Sequence, residues 1–131
     1  MKEDIQFYKA RDVFIAAIKE WDEDFTSQQW NVYLINNREE AINTVLVLSR
    51  GKSDTRKTST LRHSLGDVLP KTVVKIEFIA TEVLGFTNEF LVTFFVGTDL
   101  YERNYTFGPG TISEEEIRPL PILEYDGILA K

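Results

Sequence analysis

The sequence contains no cysteine, and it has one histidine in 131 residues. Without thiols there is no disulfide, zinc finger, thiolate nucleophile or iron–sulfur cluster. Small extracellular domains usually lean on disulfides, so a cytoplasmic setting is expected. Glycine and proline are sparse, at seven and four residues. No segment reads as a linker or a low-complexity tract. No apolar run reaches the roughly 18 residues that span a bilayer, so no membrane partner is expected. Residues 1–12 lack the apolar stretch of a signal peptide, and none is expected.

Positive charge is also in deficit. Fifteen Lys and Arg stand against twenty-one Asp and Glu, a formal net charge of −6. A globally acidic chain binds nucleic acid and anionic membranes poorly. What is present is ordinary globular material, 43% hydrophobic and 27% charged. The length suits a single domain over residues 1–131.

The clearest structural signal is the stretch from Glu89 to Phe107, EFLVTFFVGTDLYERNYTF. Two aromatic and β-branched runs flank Gly97-Thr98-Asp99, as in a β-hairpin. Similar runs recur upstream. Val13 to Trp21 reads as a strand, although its two alanines and Lys-Glu pair also allow a helix. Trp30 to Asn36 alternates, with Trp30, Val32 and Leu34 on one face and Tyr33 and Ile35 on the other. A turn at 36–40 would let it pair antiparallel with Thr44 to Arg50. Thr58 to His63 makes a short fourth strand. In Thr72 to Ile79, Val74, Ile76 and Phe78 alternate against Lys75 and Glu77. Near the end, Asp126-Gly127 suits a type I′ turn between Leu123-Glu124-Tyr125 and Ile128-Leu129.

Helical periodicity is nearly absent. Ser113 with Glu116 matches a capping box, but Pro119 would stop such a helix after about one turn. Pro70, Pro109, Pro119 and Pro121 fall in expected loops or strand entries. The expectation is an all-β, antiparallel β-sandwich of about 7–8 strands, immunoglobulin-like, with Trp30 as a core anchor. A small β-barrel is the alternative.

The runs WNVYLINNREEAINTVLVLSRG, KTSTLRHSL, LPKTVVKIE and NEFLVTFFVG resemble a family of short uncharacterised bacterial proteins. The resemblance covers nearly the whole chain. Some members carry the label phenylalanyl-tRNA synthetase alpha subunit. The resemblance brings no catalytic residues. The nearest fragments to a synthetase core, Phe107-Gly108-Pro109-Gly110 and Arg118, form no ATP-binding motif.

No other constellation carries chemistry. His63 neighbours Ser64 and Asp67, but residues 63 and 64 of a strand point to opposite faces, against a triad. One histidine gives zinc too few good ligands, and no metal or other cofactor is expected. Asp22-Glu23-Asp24 and Glu114-Glu115-Glu116 lack the spacing of a calcium loop and read as solvated charge. Gly108-Pro109-Gly110 lacks the Gly-Lys-Ser/Thr of a phosphate loop and reads as a bend.

One basic segment stands out. Arg50, Lys52, Arg56, Lys57 and Arg62 against Asp54 give +4 within thirteen positions, which leaves −10 for the rest of the chain. Charged sheet edges discourage stray strand pairing, the plain structural reading. As a site it would suit an acidic or phosphate-bearing ligand. No aromatic lies between Arg50 and Arg62 to stack on bases, which disfavours nucleic acid. The leading functional expectation is a non-catalytic protein-interaction or accessory module, with an unknown partner or self-association. Its contact would be a sheet edge or the face bearing Tyr101, Tyr105 and Phe107, provided that face is not core. A ligand- or nucleic-acid-binding module using the basic segment comes second. An enzyme using carboxylates and His63 comes last.

Overall fold

A computed structural model describes residues 7–122 and 124–131. The expectations for residues 1–6 and for Leu123 lie outside the described residues. The chain is all-β. Strands β1 (Phe7–Lys9), β4 (Ile42–Lys52), β5 (Leu61–Val68), β7 (Thr87–Val96) and β8 (Asp99–Phe107) form one sheet, in the order β1-β8-β7-β4-β5. Strands β2 (Val13–Trp21), β3 (Gln28–Asn36), β6 (Thr72–Ile79), β9 (Arg118–Pro119) and β10 (Asp126–Leu129) form the other, in the order β6-β3-β2-β10-β9. All neighbours pair antiparallel except β1 with β8. The two sheets enclose one core and do not close into a barrel. Trp30, Val32 and Leu34 of β3 meet Val47 of β4 and Phe90, Val92 and Phe94 of β7 there. No helix among the described residues is long and apolar enough to cross a membrane.

The β7–β8 hairpin forms as expected. Gly97 has φ +62°, a left-handed conformation that only glycine adopts without penalty. Four other expectations need correction.

The segments 30–36 and 44–50 do not pair. Strand β3 runs between β2 and β6, while β4 runs between β5 and β7 in the opposite sheet. Segment 44–50 buries one face and segment 30–36 buries residues on both, and the link between them passes from one sheet to the other instead of folding back. Buried Asn36 pins that link, its Nδ2 donating to the carbonyls of Glu40, Val68 and Leu69.

Asp126-Gly127 is not a turn. Both residues lie in β10, and the left-handed residue there is Glu124 at φ +78°. Glycine is needed at 127 for close approach, since a Cβ would sit 2.5 Å from the Ala17 carbonyl oxygen.

The alternation of β6 breaks halfway. Val32 pairs with Glu77 but Tyr33 pairs with Lys75, so Ile76 is an extra residue, a β-bulge. Beyond it the faces invert. Ile79 is buried and Phe78 is 57% exposed.

The face bearing Tyr105 and Phe107 is core, and Tyr101 packs against it, stacked on Phe94 at 5.1 Å. Tyr105 is 1% exposed and its hydroxyl donates to the Val13 carbonyl of the other sheet.

Smaller shifts follow the same logic. The fourth strand lies at Leu61–Val68 and takes in Gly66, whose φ of +66° accompanies irregular pairing with β4. The turn at 114–116 is a single 3-10 turn without the capping-box bond from Ser113.

The two sides of the fold differ. On one, Thr106 and Lys131 exchange two backbone hydrogen bonds of 2.8 and 2.9 Å, which laces the end of β10 to β8. On the other, β5 and β6 are unpaired edges facing each other across the core. The candidate site lies on that open side.

Candidate functional site

The bulge in β6 sets the site up. It turns Glu77 from the solvent side toward the opposite sheet. Strand β4 presents Val47 and Ser49 to the core, and their partners on β5 are His63 and Leu61. His63 therefore faces inward, and Ser64 faces out. Glu77 Oε1 accepts from the Ser49 hydroxyl at 2.5 Å and lies 2.8 Å from His63 Nε2. A carboxylate can only accept here, so Nε2 carries the proton of that bond. Among the described residues, no hydrogen bond reaches Glu77 Oε2.

Beside this trio a cavity of about 290 Å³ enters between the sheets. Ser49, Gly51, Ile79, Asn88 and Phe90 form its buried floor. Ser59, Leu61 and Phe78 form an exposed rim. Asn88 holds one wall in place, donating to the Val83 carbonyl at 3.0 Å and the Phe86 carbonyl at 3.2 Å. Gly51 lets the 53–60 loop close over it. Its N–H donates to Thr58 Oγ1, and a Cβ there would meet Asn88 Oδ1 at 3.0 Å. The walls are mostly apolar with a few polar side chains, among them Ser49, Glu77 and Asn88, the usual make-up of a small-ligand site.

The order of the trio decides its chemistry. A nucleophile needs its base within hydrogen-bond reach. Here the carboxylate stands between serine and histidine, and both bond the same oxygen. The geometry holds a charged acceptor in place and does not relay a proton from Ser49 to His63. Asp67 takes no part, since its Oδ1 accepts from the Thr44 N–H. Among the described residues no three His, Asp or Glu side chains gather around a common point.

The basic segment frames the rim without forming a single patch. Arg50 and Lys52 project from the outer face of β4, and both bind Glu89, at 3.1 and 3.0 Å. Glu89 is 13% exposed. The Lys52 bond, helped by Arg50 and opposed by burial, holds its carboxyl below the ordinary value of 4.5. Arg56 in the loop lies over the Phe86 ring at 5.5 Å, an aromatic neighbour supplied from outside the segment. Lys57 bridges back to Lys52, and Arg62 projects from β5 beside Leu48.

A first prediction follows for Arg50→Ser/Lys52→Ser. Removing both cations strands a mostly buried carboxylate and costs about 1 kcal/mol in urea unfolding at neutral pH. The deficit shrinks on acidification. A lowered carboxyl pKa contributes stability above the unfolded value, and that stability is lost as pH falls through the folded one. An unchanged midpoint at neutral pH would mean that Glu89 does not need them.

Other acidic groups serve local structure. Asp22 accepts from the Thr26 N–H and hydroxyl and from Ser27, closing the β2–β3 turn. Glu114 pairs with Lys19, which lies over the Trp30 ring.

Sequence reasoning singled out His63 and the basic residues but missed Glu77, Ser49 and Asn88. One signal was available. Phe78-Ile79-Ala80 ends an alternating strand in three consecutive apolar residues, which cannot all share one face. No protein-family profile, curated protein or solved structure matches the chain.

Proposed function

We propose that this chain is a non-catalytic binding module whose site is the cavity between the β5 and β6 edges. The observation that carries this reading is that Ser49, Glu77 and Asn88 line one mostly apolar hollow of about 290 Å³ between the two sheets. That is near the lower bound of roughly 300 Å³ for small-molecule sites. The ligand role expected of segment 50–62 thus moves from its cations to the hollow beneath it. In this reading the synthetase label of the proteins that the chain resembles corresponds to no activity here.

An immunoglobulin-like assignment belongs to the same proposal. The connectivity supports it. Strands β2-β3-β6 follow the order A-B-E, and β8-β7-β4-β5 follow G-F-C-C′. The loops and edges of such sandwiches commonly carry binding sites.

A second reading is self-association. The outer face of β4, β7 and β8 carries Leu46, Leu48, Leu91, Phe95 and Leu100 at alternating positions, none packed on the core. It replaces Tyr101 and Tyr105 as the apolar face open to a second copy.

Benzyl alcohol titrated into labelled protein distinguishes the two. The cavity reading expects amide shifts at Ser49, Gly51, Ile79 and Asn88. Leu61 is 47% exposed and points inward at the rim, so Leu61→Trp should narrow the mouth with little effect on stability. Binding should weaken roughly tenfold or more, about 1.4 kcal/mol. Shifts confined to Leu46, Leu91 and Phe95 that grow with protein concentration would replace the cavity by the outer face.

A further inference from the structure

We infer that the cavity selects ligands bearing a protonated amine on an apolar body, an inference that rests on the cavity reading above. Glu77 is the charge the fold delivers inward, and the bulge delivers it at the cost of regular pairing. Ser49 and His63 fix its Oε1, which orients the carboxylate while Oε2 keeps its acceptor capacity. Two basic groups stand near it: His63, bonded to Oε1, and Arg50, which lines the cavity. The Arg50 guanidinium is committed to Glu89 by two bonds, at 3.1 and 3.3 Å. An anion entering the hollow would therefore meet a carboxylate, while among the described residues Arg50 is already bonded to Glu89 and His63 to Glu77 Oε1.

An ammonium group offers three donors, and its bond to a carboxylate is charge-assisted, roughly twice as strong as a neutral one. Burying an ammonium is costly unless it is paired, and Glu77 supplies the pair. Phe90, Ile79 and Val83 give the apolar body its contact surface. A hydroxyl in the same place would satisfy Oε2 with one donor and no charge.

Three probes of one shape test this: benzylammonium, benzyl alcohol and phenylacetate. They are titrated at about pH 8, where the amine is still charged. Binding is read at the Ser49, Gly51 and Asn88 amides, so that attraction to the acidic surface elsewhere does not count. The expected order is benzylammonium tighter than benzyl alcohol by roughly tenfold, with phenylacetate weakest. In Glu77→Gln the amine should fall to the affinity of the alcohol. An alcohol that binds wild type as tightly as the amine overturns the inference and leaves the cavity reading standing. So does an amine preference that survives Glu77→Gln. If no probe shifts these amides, both fail. The comparison on wild type decides the matter even if the variant does not fold.

Discussion

Tyr105→Ala is expected to lose about 4 kcal/mol of stability, most of the margin of a domain at the low end of the ordinary range. Tyr105 is among the largest fully buried side chains. Its ring takes the Arg103 guanidinium at 4.5 Å, and its hydroxyl ties β8 to Val13 of the facing sheet. Removing the ring leaves a cavity and an unpaired carbonyl. Tyr105→Phe keeps the ring and should lose about 1 kcal/mol, the worth of the bond plus the stranded Val13 oxygen. Alkaline pH should act through the same group. Burial pushes the Tyr105 hydroxyl from 10.0 up to about 12, against the opposing charge of Arg103. The native state therefore holds its proton more tightly than the unfolded chain. The contribution of this group should be flat below pH 10 and fall as pH rises toward 12. Urea midpoints for wild type and both variants, followed to high pH, check this. A Tyr105→Ala protein as stable as wild type would mean that this face is not core.

Gly127→Ala should be nearly as damaging. The added Cβ would lie 2.5 Å from the backbone oxygen of Ala17 and 3.2 Å from Ile18 and Leu120 side-chain atoms. Backbone cannot rotate away as a side chain can, so β10 must separate from β2. Overpacking of this kind costs about 3 kcal/mol. Gly85→Ala is the control, since a Cβ there meets nothing within 4 Å. Thermal unfolding should separate the two clearly. Equal midpoints would show that β10 does not press on β2 as described.

These two residues also show how far local sequence reaches. Tyr105 was legible as a strand residue on one face with Phe107. Which face was core depends on what lies above it, and that is set by sheets assembled from distant segments. Gly127 follows an aspartate, and Asp-Gly reads as a turn wherever it occurs. Only the pairing of β10 with β2 gives the glycine its actual task. The bounds of strands Val13–Trp21 and Thr72–Ile79 were legible to the residue, because apolar, β-branched runs and flanking polar residues are local properties, although the first run also allowed a helix. The crossing at Asn36 was not, because a link between paired strands and a link between facing strands can have the same composition.

The site was the least legible part. A bulge changes no residue type. Lys75-Ile76-Glu77-Phe78 looks regular whether or not Ile76 is the extra residue. Yet the bulge decides whether Glu77 faces water or meets Ser49 and His63. The basic residues drew attention by charge, but two of them, Arg50 and Lys52, are occupied by Glu89. A substitution of all five would therefore mix loss of binding with loss of stability. Arg56, Lys57 and Arg62 form the cleaner set.

The absence of native cysteine makes the inversion at the bulge directly measurable. Phe78→Cys and Ile79→Cys each place the chain's single thiol on one side of β6. Phe78 is 57% exposed and Ile79 is 5% exposed. Maleimide labelling under native conditions should be fast at position 78. At position 79 it should be slower by roughly tenfold or more, since a buried thiol reacts only when the strand opens. A fast Ile79→Cys with a protected Phe78→Cys is what unbroken alternation requires. It would turn Glu77 back to solvent and remove the site.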